Sequence, residues 1–172
     1  FLLEVFPDAR FIFLFRDPKQ NMSSLLESWK SQKFVTYPTL PGWSAPQKWS
    51  HLLTPGWQEL AGAPLAEVVA HQWLTTNQTI MNDLKDLPKE RWCAIDYDSL
   101  LANTPQELQR LSHFSQVIFG PRLHKMASEP LRPSKYTHTA PNPGKWKMNE
   151  QELASVIPKT EELMAQLKLL IE

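Results

Sequence analysis

The chain has 172 residues, 42% of them hydrophobic and 21% charged, and its 18 basic and 18 acidic side chains cancel at neutral pH. That length suffices for one domain with a sizeable core. Zero net charge argues against a broad electrostatic footprint for nucleic acid or an acidic membrane surface.

A few local cations are still enough to hold a single phosphate. The one cysteine, Cys93, excludes an intrachain disulfide, and nothing points to an oxidising compartment. No apolar run approaches the roughly 20 residues of a membrane span, and no signal-peptide pattern is present. A cytoplasmic protein is the expectation. Because the first residue is Phe1, the chain is expected to be a piece of something longer.

Residues 1–6, FLLEVF, read as the end of a helix or turn, broken by Pro7 and Asp8. The run RFIFLF at 10–15 is continuously apolar after Arg10 and too short for a core helix. It reads as a strand buried on both faces, which implies a parallel α/β sheet. A helix follows, with Asp17 as N-cap, Pro18 as its first residue and Gln20 as capping-box partner. Met22, Leu25, Leu26 and Trp29 form its apolar stripe, and Ser24, Ser28 and Ser31 share an adjoining polar face.

Residues 34–64 hold five prolines, three glycines and the tryptophans Trp43, Trp49 and Trp57. A loop this long is usually functional or disordered, and its aromatics predict an ordered, packed excursion with a short helix near residues 47–53. A long helix is expected over residues 65–84, with Leu65, Val68, Val69, Gln72, Trp73, Thr76, Ile80 and Leu84 along one face. RWCAIDY (91–97) reads as a second strand, containing Cys93 as a buried, inert thiol. TPQEL (104–108) predicts a helix capped by Thr104, with Pro105 first and Glu107 closing a capping box. Leu108, Leu111, Phe114, Val117 and Ile118 form its buried face. Between residues 120 and 144 little regular patterning is visible. A last helix is expected from Asn149, with Glu152 as capping partner and a restart at Pro158.

Arg16 is the first candidate for chemistry. It ends a buried strand, where ligands bind in open α/β sheets, and its fork suits a phosphate. Pairing with Asp17 or another carboxylate explains it equally well on chemistry alone. Ser24 lies roughly 10 Å along the helix from Asp17 at 1.5 Å per residue, outside the amide-rich first turn.

Taken together, PDARFIFLFRDPKQNMSSLLESW resembles the 3′-phosphate-binding segment of PAPS-dependent sulfotransferases: an apolar strand, Arg-Asp-Pro, and a serine eight positions after the arginine. The resemblance implies that Arg16 and Ser24 bind the 3′-phosphate. IDYDSLLANTPQELQRLSHF (95–114) is similar to the family segment whose tyrosine lies near the adenine, which points to Tyr97. PNPGKWKMN (141–149) is similar to the family's late Gly-x-Trp loop, with Lys145 as its candidate cation. Thr139, Ala140 and Pro141 stand where eukaryotic cytosolic members place Arg-Lys-Gly. Together with LPGW (40–43) and PGWQEL (55–60), this suggests a bacterial-type branch. The likeness runs from about Pro7 to Trp146, each motif weak alone and specific through order and spacing.

The resemblance implies an α/β fold, a partial P-loop-NTPase-like parallel sheet flanked by helices, in a single N-terminally incomplete domain over 1–172. The Gly/Ser/Thr-rich loop that cradles the 5′-phosphosulfate in the family has no counterpart here, since no stretch matches GxxxxGK[ST]. The family's catalytic base, a histidine or carboxylate, also precedes the Arg16 segment. No catalytic residue is therefore assigned. His71 and His113 read as structural, His51, His124 and His138 as loop residues, and no His/Cys/acid set has metal-ligand spacing. The tryptophans either line an acceptor pocket or pin the loop.

The expectation is a sulfotransferase fragment that binds the 3′-phosphoadenosine end of PAPS. Its parent would sulfate a hydroxyl or amine of a small molecule, carbohydrate or lipid, with no nucleic-acid partner. A catalytically inactive nucleotide-binding or structural module is the main alternative, and a P-loop kinase relative a third.

Overall fold

A computed structural model describes residues 2–129 and 142–171. In chain order the elements are α1 (Leu2–Val5), β1 (Phe11–Phe15), α2 (Pro18–Ser31), β2 (Val35–Tyr37), β3 (Trp49–Ser50), α3 (Leu65–Lys85), β4 (Trp92–Asp96), α4 (Tyr97–Ala102), α5 (Thr104–Ser115), α6 (Pro121–Ser128), α7 (Glu150–Leu153) and α8 (Glu161–Leu169). Short 3-10 turns occupy Trp57–Leu60, Lys89–Arg91, Lys145–Asn149 and Ile157–Thr160. The chain divides into two compact units. One takes Phe1–Arg16, Asn82–Pro141 and Leu167–Glu172, and the other Asp17–Met81 and Asn142–Gln166. No helix among the described residues is long and apolar enough to cross a membrane.

The first unit is built on β1 and β4, paired in parallel with Phe11 opposite Trp92 and Phe15 opposite Asp96. Parallel pairing needs a long crossover, and here 76 intervening residues separate Phe15 from Trp92. Arg91 ties the start of β4 to the approach of β1 by donating from Nε to the Ala9 carbonyl (2.8 Å) and from its terminal nitrogen to the Pro7 carbonyl. Phe13 and Phe15 are buried, but Ile12 and Leu14 remain 46% and 48% exposed. The expectation of a strand covered on both faces is thus corrected: successive side chains alternate faces, and among the described residues only one face of β1 is covered.

Helix α5 begins at Thr104, but Thr104 does not cap it. Its hydroxyl donates to the Leu100 carbonyl (2.7 Å), because α4 arrives immediately before and offers that acceptor. The helix ends at Ser115 with Gln116 in the left-handed region, so Val117 and Ile118, expected on its buried face, lie beyond it and are exposed. Helix α6 stands where little regular structure was expected, opened by Pro121 at its first position.

The second unit surrounds α2. Asp17 Oδ1 accepts from the Gln20 amide at 3.0 Å, and Pro18 takes the first helical position, as expected. Met22, Leu26 and Trp29 of α2 are fully buried, together with Trp49, Val69, Leu153 and Val156. The long loop is ordered by four tryptophans. Trp49 lies 5.3 Å from Trp29, 4.8 Å from Trp43 and 5.9 Å from Trp57 between ring centroids, in edge-on contacts. The short helix expected near residues 47–53 is absent. β3 pairs there with β2 in antiparallel fashion, because Trp49 must alternate inward from an extended backbone to reach the cluster.

Gln72 of α3 completes this core. Its Oε1 accepts from Trp29 Nε1 (3.0 Å) and its Nε2 donates to the carbonyls of Ser50 (3.1 Å) and Leu52 (2.8 Å). At Pro158 the chain makes a 3-10 turn and restarts as α8, as expected.

Candidate nucleotide-binding site

In the first unit, the register of β1 and β4 sets the geometry. Phe15 faces Asp96 as the last pair, so Arg16 and Tyr97 leave the same carboxyl edge. The Arg16 guanidinium carbon lies 4.6 Å from the centroid of the Tyr97 ring. Such a contact confines a cation by the ring's quadrupole and adds no opposing charge. Asp96 is engaged elsewhere: its Oδ2 accepts from the Ser99 amide and hydroxyl, both at 3.1 Å, and so caps α4. Two of the four expected ligand residues therefore meet at the strand edge where an α/β sheet binds ligands.

The other two belong to the second unit. Ser24 is exposed on α2. Lys145 opens the 3-10 turn Lys145–Asn149, and its Nζ lies 2.6 Å from Glu27 Oε2 on α2. Glu27 stands one turn beyond Ser24, at the i,i+3 spacing that makes helix side chains neighbours. Lys19 in the first turn of α2 holds its Nζ 5.2 Å from the Trp146 centroid. Asn149, expected to cap the last helix, makes no side-chain cap. Its amide donates instead to Ser23 Oγ (2.9 Å) and Glu27 Oε1 (3.5 Å). A tertiary partner has displaced the local one. Sequence reasoning missed Glu27, Ser23 and Lys19; the only signal was their spacing of four on α2.

Two of the described histidines, His71 and His51, have structural hydrogen-bond partners. His71 donates from Nε2 to the Pro55 carbonyl at 2.8 Å. Its ring sits so close to Gly56, which has φ +79°, that an added Cβ would lie 3.3 Å from Cε1. His51 places Nε2 2.7 Å from Ser28 Oγ and stacks on Phe34. Burial pushes its pKa below the ordinary 6.5. Ser28, expected on a polar face, is accordingly buried. Burial pushes the Cys93 thiol up, while neighbouring Arg110 pulls the other way. His138 and residues 139–141 lie outside the described residues. Among the described residues, no group of three or more His, Cys, Asp or Glu is placed to hold a metal ion.

Known proteins give this geometry its family. The sequence pattern of the Sulfotransferase family matches residues 1–121, most of the chain, and the chain belongs to that family. A solved structure, the sulfotransferase domain from the curacin biosynthetic pathway, shares the fold with a TM-score of 0.50 and 20% identity. The likeness covers 86% of this chain and 54% of that one, so the chain spans about half the length of the structure it matches. No curated protein sequence matches significantly.

Proposed function

We propose that this chain binds the 3′-phosphoadenosine end of PAPS and is part of an enzyme that transfers the sulfuryl group to a hydroxyl or amine of a small molecule, carbohydrate or lipid. The observation that carries the reading is the Arg16 guanidinium held over Tyr97 at the carboxyl edge of β1 and β4 in a member of the Sulfotransferase family. A guanidinium fork and a serine hydroxyl are the donor set that a phosphate dianion requires. Arg16 and Ser24 take the 3′-phosphate, Tyr97 lies near the adenine, and Lys145 supplies a further cation.

Residues 1–172 are a single sulfotransferase-like domain in this reading, and the β1/β4 pair is part of a P-loop-like sheet. In the reaction, the acceptor oxygen or nitrogen attacks sulfur in line. The bond from sulfur to the bridging phosphate oxygen breaks, a base takes the acceptor's proton, and 3′-phosphoadenosine 5′-phosphate leaves. The residues proposed here hold the end of the donor that does not react.

Calorimetric titration with 3′,5′-adenosine bisphosphate tests the proposal, with 5′-AMP as the ligand that lacks the 3′-phosphate. A charge-assisted hydrogen bond contributes about 1.5–3 kcal/mol. Arg16→Ala should therefore weaken the bisphosphate by about tenfold or more and leave the weaker binding of 5′-AMP nearly unchanged. Equal losses for both ligands would remove Arg16 from the 3′-phosphate. No binding of either would favour a structural module without nucleotide chemistry.

A further inference from the structure

Four residues of α2, Lys19, Ser23, Glu27 and Lys30, recur at intervals of four, four and three, and so form one stripe along the helix. Each meets a residue from the start of the C-terminal segment: Trp146, Asn149, Lys145 and Glu152, respectively. Over residues 144–149 no side chain is fully buried, Trp146 is half-buried, and the first fully buried apolar residue is Leu153. Polar contacts and the Trp146 ring together hold this stretch against α2.

They are not equal. Lys30 and Glu152 have side chains 47% and 40% exposed, where water and salt screen an ion pair. Lys145 and Glu27 are 22% and 29% exposed, and Glu27 also reaches the Asn149 amide at 3.5 Å. Glu27 is thus the residue of the stripe with two partners in the segment and the better shielded charge.

We infer that Glu27 is a positioning residue. Its carboxylate draws Lys145 onto α2 one turn from Ser24, so that a cation and a hydroxyl share one helix surface for the same anion. The inference rests on the reading of Ser24 and Lys145 as nucleotide ligands. Glu27 itself, an anion, is not a phosphate ligand and acts through Lys145.

Amine acetylation of the intact protein, read residue by residue by mass spectrometry, tests the inference without nucleotide. The reagent must reach the amine, and an amine held against a carboxylate and 22% exposed is shielded from it. Lys145 should react more slowly than Lys147 and Lys33, which are exposed. In Glu27→Gln, which removes the charged partner 2.6 Å away, Lys145 labelling should rise severalfold, toward that of Lys147. Lys147 and Lys33 should not change, as they would if the protein unfolded. Glu27→Asp, which keeps the charge, should retain most of the protection.

Equal labelling of Lys145 and Lys147 in the wild-type protein would overturn the inference, as would a Lys145 that stays slow in Glu27→Gln. A second arm adds 3′,5′-adenosine bisphosphate, which should slow Lys145 further. If it does not, while Glu27→Gln still exposes Lys145, Glu27 positions Lys145 as inferred and the nucleotide reading of Lys145 fails by itself.

Discussion

Arg16 and Lys145 carry the same charge in different settings. The Arg16 guanidinium lies over the Tyr97 ring, and Lys145 pairs with the Glu27 carboxylate. Arg16 was legible as a candidate because its cause is local: an apolar run of fixed length ends there. Glu27 was not, because its partner lies 118 residues later and no local pattern marks it.

His51 lies in a loop by sequence, and its environment is set by the Phe34 stack and the Ser28 hydroxyl. Burial lowers its pKa from 6.5 in the folded state. The unfolded chain therefore binds the proton more readily, and stability rises with pH in the window just below 6.5. The contribution is complete above 6.5 and is lost as pH falls through the lower folded value. Urea midpoints measured from pH 5 to pH 8 should decline on the acid side, and His51→Asn should flatten that decline. Asparagine is the suitable replacement because His51 has φ +65°, a region that asparagine tolerates better than most residues. An unchanged acid-side slope in the variant would remove His51 as its cause.

Among the elements, those whose start and stop signals act within a few residues were legible: β1, the capped start of α2, α3 and β4. The strand pair β2 and β3 was not, because the choice between a helix and a strand at Trp49 is made by Trp29, Trp43 and Trp57 from elsewhere in the chain. Thr104 and Asn149 misled for the same reason, since each had a better partner than the amides it was expected to cap.

Gln72 sits between these cases. Its place on the inward face of α3 follows from periodicity, but a glutamine there makes sense only with its three partners. Gln72→Leu keeps nearly the same volume and leaves the Trp29 N–H and the Ser50 and Leu52 carbonyls without it. Buried groups stripped of a partner cost about 1–3 kcal/mol each, with relaxation recovering part. The variant should lose about 2–3 kcal/mol in urea unfolding with an unchanged m value. A loss under about 0.5 kcal/mol, the size of an ordinary surface change, would mean that water replaces the glutamine freely.

For the whole molecule, sulfuryl transfer needs three things: a hold on the donor's inert end, stabilisation of charge where the bridging oxygen leaves, and a base for the acceptor. The first is what we propose for Arg16, Ser24, Tyr97 and Lys145. The second is a phosphate-cradling loop, and these 172 residues hold no GxxxxGK[ST] run. For the third, His51 is bonded to Ser28, with its neutral form favoured by burial, and His71 donates to the Pro55 carbonyl. Each of these two rings spends its Nε2 on a structural partner, and no residue of this chain is assigned as the base.

Binding and turnover should therefore separate in this chain. Incubated with sulfur-labelled PAPS and a panel of phenols, sugars and amines, the 172-residue chain should yield no labelled acceptor, yet retain the Arg16-dependent affinity for 3′,5′-adenosine bisphosphate. Labelled product that disappears in Arg16→Ala would overturn this division, because the groups that activate the acceptor would then have to lie among these residues. The separation also has a thermodynamic sign. A ligand that binds only the folded chain raises its melting temperature with concentration, so at equal concentration the bisphosphate should stabilise the wild-type chain more than Arg16→Ala, without any reaction taking place.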